Sequence, residues 1–226
     1  MRLRDLHPWD LTPSEAIALQ KRLASQVILK GEPRNVRLIA AADVAFVDRP
    51  YRRSPTLARA AVVLMSYPEL EIVEHHVIEA PVTFPYVPGL LSFREIPVLS
   101  QALAQLQGKP DLLLVDGHGY AHPRCFGLAC HLGLLTGLPT IGVAKSRLCG
   151  EYAEPALDAG ATSELTLSGE LIGLVVRTRA GVRPVFVSTG HRIGLRAAAE
   201  WVIRLCNGYR LPEPIRLADR LSKRPD

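Results

Sequence analysis

The sequence has 226 residues, of which 48% are hydrophobic and 22% charged, and its 27 basic against 22 acidic residues give a formal net charge of +5. This composition is typical of one globular α/β domain over residues 1–226. It excludes a disordered chain, which needs lower hydrophobicity, and a collagen-like or low-complexity chain, which needs far more glycine and proline. The modest positive charge favours an anionic partner such as nucleic acid only weakly.

Cysteine usage and hydropathy indicate the compartment. No CxxC pair occurs among Cys125, Cys130, Cys149 and Cys206. We therefore expect packed thiols in a reducing cytoplasm, with neither a disulfide framework nor a zinc ribbon. The uncharged stretch 126–144 is interrupted by Gly137-Leu-Pro139, so we interpret it as a buried helix, a turn and a buried strand. No membrane association is expected, and the start of the sequence lacks the apolar run of a signal peptide.

The N-terminal half predicts a helix followed by an antiparallel meander. Thr12-Pro13 introduces a helix over about residues 13–29. Apolar runs then predict strands over residues 37–47, 57–66 and 72–82, separated by the polar segment 48–55 and a turn at 67–69. An apolar loop with two prolines, TFPYVPGLLSF, follows, and we expect the next helix over about residues 97–107.

The C-terminal half alternates strands with helices. Residues 111–116 and 140–144 predict strands on either side of a helix at 123–136, the order of a parallel βαβ unit. Further strand-like runs at 171–178 and 184–188 precede helices near 195–206 and 214–221. Three antiparallel strands leading into parallel βαβ units predict a mixed, ribonuclease H-like sheet flanked by helices.

Two aspartates occupy positions where a carboxylate is costly. Asp43 interrupts the apolar run RLIAAADVAFV, and Asp116 ends the buried run LLLV directly before Gly117. An acid at the carboxyl end of a buried parallel strand is typical of a functional site in an α/β sheet. If the two strands are neighbours, both acids can share an oxygen-bound Mg²⁺ or Mn²⁺. Alternatively, Asp43 bonds to backbone at a bulge and Asp116 stabilises a turn.

Glu95 and Lys145 are further candidates with structural alternatives. Ser92-Phe-Arg-Glu95 matches a capping box. Pro97 argues that the helix starts nearer residue 96, which would place Glu95 at the helix entrance, free to face a metal. Lys145 follows the predicted strand 140–144 and would emerge at the same rim as Asp116, where it could bind a phosphate or orient water. A solvated lysine at a strand end is the alternative.

The segment Pro85-Tyr86-Val87-Pro88 is a stiff loop that holds an aromatic ring between two prolines. Rigid apolar wedges of this kind separate stacked bases. The alternative is a tyrosine folded back onto Leu90 or Leu91.

Four motifs carry a resemblance to a known family. PYVPGLLSFRE, LLLVDGHGYAHPRCFGLACHLG, PTIGVAKS and PIRLAD, in this order, closely resemble endonuclease V, the deoxyinosine 3′ endonuclease family, over about residues 41–219. The resemblance implies a ribonuclease H-like fold. It also implies Mg²⁺-dependent hydrolysis, with Mn²⁺ able to substitute, of the second phosphodiester on the 3′ side of a deaminated purine, leaving 3′-hydroxyl and 5′-phosphate ends.

The resemblance assigns roles to individual residues. Asp43, Glu95 and Asp116 match the acidic metal and catalytic positions, and Lys145 matches the active-site lysine. Asp219 occupies the place in the last helix where the family carries His or Asp near the metal. The strand-separating wedge matches Pro85, Tyr86, Val87 and Pro88, with valine where isoleucine is common. The positions that shape the pocket for a flipped hypoxanthine match Gly89, Leu91, Gly117, His122 and Gly142.

The implied partner is DNA containing deoxyinosine or other deaminated bases, with inosine-containing RNA as a further candidate, and we expect a monomer. Candidate contacts to backbone phosphates are Arg49, Arg52, Arg53, Arg124, His191, Arg192 and Arg196. Together they predict an affinity that falls with salt concentration.

Three other functions are compatible with the sequence. A nuclease directed mainly at inosine in RNA would use the same residues. A structure-selective nuclease of ribonuclease H-like fold could use the same acids, but it would not need the loop Pro85–Pro88. An inosine-binding protein without catalysis is disfavoured by the intact acidic set and Lys145.

Overall fold

A mixed β-sheet runs through the computed structural model, which describes residues 1–47 and 56–224. Within these residues it has eight strands: β1 (Leu38–Val47), β2 (Leu57–Ser66), β3 (Ile72–Pro81), β4 (Leu112–Asp116), β5 (Thr140–Ala144), β6 (Thr162–Leu167), β7 (Glu170–Val176) and β8 (Val185–His191). The strand order is β3-β2-β1-β4-β5-β8-β7-β6. The central strands β1, β4 and β5 are parallel, and every other neighbouring pair is antiparallel.

Helices cover both faces of this sheet. The described chain forms five of them: α1 (Pro13–Ala24), α2 (Leu91–Gln105), α3 (Leu128–Thr136), α4 (Leu195–Arg204) and α5 (Glu213–Lys223). Side chains of α2 and α3 pack on one face of the sheet, and side chains of α4 and α5 pack on the other. None of the helices in this part of the chain has the length and apolarity that a bilayer crossing requires.

The alternation of side chains along the strands decides what each face of the sheet contacts. Ile39 and Ala41 of β1 belong to the apolar cluster under α4 and α5, whereas Ala40 and Ala42 belong to the cluster under α2 and α3. Successive residues of a strand point to opposite faces, so this phase continues along the strand.

The predicted order of strands and helices is confirmed except for β6. The sequence TSELTL of β6 has only two apolar residues and no apolar run, and β6 is an edge strand, so the prediction missed it. Two helices are shorter than predicted. α1 ends at Ala24, and α3 begins only at Leu128 because the loop before it contains Cys125 at φ 52° and the N-cap Gly127.

Helix α2 begins at Leu91, so the prediction of a start near residue 97 was wrong. Pro97 lies inside the helix, where it lacks the amide that would bond to the Phe93 carbonyl. The burial of Phe93, Ile96 and Leu99 offsets this loss, because each is at most 2% exposed and contributes about 1.5–3 kcal/mol. Glu95 therefore lies within the helix, neither at its entrance nor in a capping box.

Candidate active site

The alternation of side chains brings an acidic cluster to the α5 face of the sheet. Asp43 continues the phase of Ile39 and Ala41 in β1, and Asp116 continues that of Leu112 and Leu114 in β4. The parallel register pairs Ala42 with Val115, so the two aspartates come next to each other. Lys145 follows Ala144 of β5 on the same face, because Ile141 and Val143 face this cluster.

Helix α5 completes this cluster with a third carboxylate. One carboxylate oxygen from each of Asp43, Asp116 and Asp219 lies within 4.8 Å of the other two. Lys145 Nζ lies 2.5 Å from Asp116 Oδ2 and also donates a hydrogen bond to Asp219 Oδ1. Lys223 Nζ donates to the same Asp219 oxygen at 2.7 Å. Two ammonium groups therefore balance part of the negative charge of the three acids.

The cluster shifts the ionisation of its members. Burial, and next the charge of Asp43, raise the pKa of Asp116 to about 6, although Lys145 opposes the shift. Burial lowers the pKa of Lys145, but the hydrogen bonds and charges of Asp116 and Asp219 outweigh it and raise that pKa to about 12. For Asp219 burial is again outweighed, and the hydrogen bonds from Lys145 and Lys223 lower its pKa.

Glu95 is buried in α2 at 6% exposure and is not part of the trio whose oxygens converge. Burial raises the pKa of Glu95 well above its usual range, and the charges of Asp43 and Asp116 raise it further. Glu95 is therefore close enough to Asp43 and Asp116 for their charges to affect its pKa. The predicted metal set was Asp43, Asp116 and Glu95, whereas the oxygens that converge are those of Asp43, Asp116 and Asp219.

The donor set of the trio fits a hard divalent cation. All three side chains are carboxylates, the ligands that Mg²⁺ and Mn²⁺ prefer. Asp116 Oδ2 is buried and lies 2.5 Å from the Lys145 ammonium group, which offsets part of its charge. A bound cation would neutralise the remaining negative charge of the three acids.

Ser222, which was not among the predicted site residues, is fully buried and donates a hydrogen bond from Oγ to Asp43 Oδ2. The same hydroxyl lies 3.0 Å from the Asp219 carbonyl oxygen, one turn earlier in α5. Its spacing of three residues from Asp219 places both on one helix face, and that spacing was the available signal.

An apolar cavity of about 220 Å³ includes Gly117, the chain neighbour of Asp116, in its lining. Its lining consists of Gln20, Tyr86, Val87, Pro88, Gly89, Leu91, Ser92, Gly117, His118, His122, Gly127, Leu128 and Leu148. Four of the five predicted pocket residues therefore line it, and Gly117 directly follows Asp116. Gly142, the fifth, supports the site from behind: a Cβ there would lie 2.5 Å from Gly119 N and 2.8 Å from Gly117 O.

The wedge loop, residues Pro85–Pro88, forms one rim of the cavity. Tyr86 is 72% exposed, so its ring projects from the surface and is not covered by Leu90 or Leu91. Val87 packs inward against the aromatic cluster that contains Phe84 and Phe93. The loop thus has an anchored side chain beside a projecting ring.

Comparison with known proteins decides the family. The family model for endonuclease V matches residues 21–220. This chain belongs to the endonuclease V family. It is 52% identical to endonuclease V from Gloeobacter violaceus over 218 residues, which are 96% of this chain and 87% of that protein.

Solved structures of the endonuclease V family have the same architecture. The crystal structure of endonuclease V from Streptomyces avermitilis matches with a TM-score of 0.88 and 42% identity over 99% of this chain and 96% of that one. The Ciona intestinalis endonuclease V, in complex with a 24mer DNA containing an inosine followed by a ribo-adenosine, matches with a TM-score of 0.79 and 30% identity over 93% of this chain and 95% of that one. Argonaute from Aquifex aeolicus shares the fold alone, at a TM-score of 0.54 and 16% identity over 86% of this chain and 29% of that one. The predicted ribonuclease H-like class is confirmed.

The candidate phosphate contacts are dispersed over this endonuclease V family member. His191 is 3% exposed and ends β8 opposite Thr140, the first residue of β5, so it lies at the end of β5 away from Lys145. Arg192 follows it there and donates to the Gly137 carbonyl. Arg196 lies in the first turn of α4, and Arg124 is bonded to Gly89 and Gln20. The remaining candidates, Arg49, Arg52 and Arg53, lie outside the described residues.

Proposed function

We propose that this endonuclease hydrolyses DNA at deoxyinosine, cutting the second phosphodiester on the 3′ side and leaving 3′-hydroxyl and 5′-phosphate ends, with Mg²⁺ as its cofactor. One observation carries the proposal. Gly117, which directly follows Asp116 of the acidic cluster, lines a cavity of about 220 Å³ whose rim includes the exposed ring of Tyr86. Such a site could hold one extruded base next to a hydrolytic centre.

The choice of inosine in DNA rests on family membership and on the Ciona intestinalis endonuclease V, whose structure contains DNA with an inosine. This similarity favours DNA over the RNA and structure-selective alternatives. The exposed Tyr86 supports a duplex substrate, because a wedge is of use only on paired strands. A cytoplasmic location and a monomeric state remain predictions from the sequence.

Tyr86 would open the duplex at the lesion. An inosine pairs less stably than adenine, so separating it from its partner costs less than separating a normal pair. The glycines Gly89 and Gly117 would let main-chain groups approach the edge of the extruded base closely. Selection thus begins with the cost of extrusion and is completed in the cavity.

Asp43, Asp116 and Asp219 would hold the cation. A bound Mg²⁺ would supply Lewis-acid polarisation of the scissile phosphate and would stabilise the charge that develops there. Lys145, with its pKa raised to about 12, stays protonated at neutral pH. It would therefore donate hydrogen bonds to phosphate oxygens and would not serve as a base. Glu95 lies beside Asp43 and Asp116, and its ionisation would add negative charge next to the trio.

The test uses a labelled duplex with one deoxyinosine and the variants Asp43→Asn, Asp116→Asn and Asp219→Asn. We expect nicking with Mg²⁺ to fall by at least about 10²-fold, while inosine-dependent binding, measured in Ca²⁺, is retained. Asp158→Asn, an exposed loop substitution of equal charge change, is the matched control. Undiminished nicking in the first two variants would overturn the proposal.

Mapping of the cut on matched DNA and RNA oligonucleotides, each with one inosine, tests the substrate. We expect the DNA to be cut at the second phosphodiester bond on the 3′ side of the inosine. Preferential cleavage of the RNA oligonucleotide would mean that RNA, and not DNA, is the substrate.

A further inference from the structure

The carbonyl oxygen of Gly89, directly behind the wedge loop, accepts three hydrogen bonds. Gln20 Nε2 and His122 Nε2 each lie 3.0 Å from it, and Arg124 Nη2 lies 2.7 Å from it. A carbonyl oxygen has two lone pairs, and one of these three donors is charged, which strengthens its bond. Gly89 O is therefore held more firmly than a loop carbonyl that faces water.

Gln20 joins the groups that hold this oxygen. Its side chain is 1% exposed, and its Oε1 accepts a hydrogen bond from Arg124 Nε at 2.5 Å. Its Nε2 also donates to the Phe126 carbonyl at 3.1 Å. One carboxamide thus links α1 to the wedge loop and to the loop before α3. Gln20 precedes the segment 21–220 that the family model matches.

His122 completes the arrangement as a neutral donor. Its Nδ1 accepts from the Arg124 amide at 3.1 Å, so its Nε2 carries the proton that bonds to Gly89 O. Burial, and next the charge of Arg124, lower the pKa of His122 to about 4. The tautomer follows from the hydrogen bonds alone.

The backbone at Gly89 is shaped for this contact. Leu90 N donates to Val87 O at 2.9 Å, which closes a turn with Pro88 and Gly89 at its centre, and Gly89 has φ +78°. A Cβ at Gly89 would lie 2.6 Å from Arg124 Nη2. At the other end of the loop, Arg94 Nη1 donates to the Phe84 carbonyl at 2.9 Å. Arginines thus hold the carbonyls on both sides of Pro85–Pro88.

We propose that Gln20 and Arg124 are positioning residues for strand opening: they fix the Gly89 carbonyl so that Tyr86 stays projected when it enters the base stack. This inference rests on the wedge role proposed for Tyr86. If the loop changed conformation on contact with the stacked bases, Tyr86 would lose its contacts with them. The loop would then have to be ordered each time it binds DNA, and this loss of conformational entropy weakens binding. Arg124 thereby acts on the protein backbone and not on a DNA phosphate.

The experiment compares kcat/KM on duplex and single-stranded oligonucleotides that carry the same deoxyinosine. Gln20→Ala and Arg124→Ala should lose about tenfold more activity on the duplex than on the single strand. Gln101→Ala is the control, because Gln101 is exposed and its side chain bonds to the Pro97 carbonyl of its own helix. Thermal unfolding of each variant is measured alongside. If Gln20→Ala does not fold, Gln20→Glu replaces it, since it keeps the size and the acceptor but removes both donors.

A double-mutant cycle with Tyr86→Ala isolates the coupling. If Gln20 acts through the wedge, Gln20→Ala combined with Tyr86→Ala is no slower on the duplex than Tyr86→Ala alone. Additive losses, or equal losses on duplex and single strand, overturn this inference while the wedge stands. A Tyr86→Ala variant without a duplex-selective loss overturns the wedge itself.

Arg124→Lys separates positioning from phosphate binding. Lysine keeps the charge but cannot bond Gln20 and Gly89 O with one planar group. If Arg124 positions the loop, Arg124→Lys resembles Arg124→Ala on the duplex. Recovery of duplex cleavage by lysine, together with a salt-dependent loss in Arg124→Ala, would make Arg124 a phosphate contact and overturn its part of the inference.

Discussion

Lys145 Nζ lies 2.5 Å from Asp116 Oδ2, at the centre of the acidic cluster. Because Lys145 also contacts Asp219, its ammonium group lies among the same oxygens that would bind a divalent cation. Cation binding and release of Lys145 toward a phosphate would thus be coupled.

Substitution of Lys145 should separate cation binding from catalysis. In Lys145→Met we expect nicking to fall by about 10²-fold, since a charged donor to the phosphate is lost. Mn²⁺ affinity without DNA, measured by calorimetry, should rise, because a positive charge beside the acids is removed. Lys223→Met is the matched control, since Lys223 is 59% exposed and bonds the same Asp219, and we expect smaller changes. Weaker Mn²⁺ binding in Lys145→Met would mean that Lys145 shapes the site and does not compete with the cation.

Glu95→Gln should stabilise the metal-free protein while impairing cleavage. Burial, followed by Asp43 and Asp116, raises the pKa of Glu95 well above its usual value, so the folded state resists an ionisation that the unfolded chain undergoes freely. Stability is then lost as pH rises above about 4.5 toward the folded pKa. The unfolding midpoint of Glu95→Gln should exceed that of the wild type by a few degrees at pH 8, and the difference should vanish toward pH 4.5.

Exposed Glu200→Gln in α4 is the control for Glu95→Gln, with no expected change in midpoint. An unchanged unfolding midpoint in Glu95→Gln at pH 8 would contradict the interpretation that ionised Glu95 destabilises the folded state.

Two exposed arginines near opposite ends of β5 should affect DNA binding differently. Arg147 lies two residues after Lys145 and bonds to the Gly150 carbonyl, whereas Arg192 directly follows β8, beside the start of β5. Arg147→Ala should weaken binding to duplex DNA and reduce the slope of log affinity against log salt by about 0.9, the value for one phosphate contact. Arg192→Ala should leave both quantities unchanged. Equal effects of both substitutions would mean that the duplex contacts the protein at both ends of β5.

A buried histidine pair ties the N-terminal segment to the helices behind the cavity. His7 Nδ1 donates to the Pro8 carbonyl at 2.7 Å, so its Nε2 accepts from His131 Nε2, also at 2.7 Å. His131 Nδ1 then accepts from Ser92 Oγ at 3.3 Å. This order of donors fixes the tautomer of both rings.

Loss of this chain of hydrogen bonds should destabilise the fold. His7→Ala leaves His131 Nε2 buried without a partner, which costs about 1–3 kcal/mol and lowers the unfolding midpoint by several degrees. His7→Gln, which can still accept that bond, should recover much of the loss. Burial, and next His7, hold the pKa of His131 well below its usual value, so its contribution to stability is present above about pH 6.5 and is lost as pH falls. A midpoint unchanged in His7→Ala would refute a stabilising role.

The sequence predicted those parts of the structure that depend on local pattern. Apolar runs located β1, β4 and β5, and the alternation of their side chains brought Asp43 and Asp116 together. It failed at α2, because Pro97 is tolerated only through the tertiary burial of Phe93 and Ile96.

The parts of the site that were missed depend on packing between distant segments. Nothing local to Gln20 shows that it bonds Gly89, and nothing local to Ser222 shows that it bonds Asp43. The same holds for His191, whose residue type suggested DNA contact but whose ring is 3% exposed and accepts from the Ile28 amide. Residue type predicts chemistry, whereas the fold decides which atoms are within reach.

The bond between Ser222 and Asp43 joins residues 179 positions apart. Contacts of such long separation are costly to form early, because the closure of a large loop must be offset by the contacts it brings. Neither Asp219 nor Ser222 reaches Asp43 until α5 docks on the sheet. Hydrolytic activity thus requires α5 to be docked on the sheet, so the return of nicking during refolding would report this contact, whereas circular dichroism would report secondary structure.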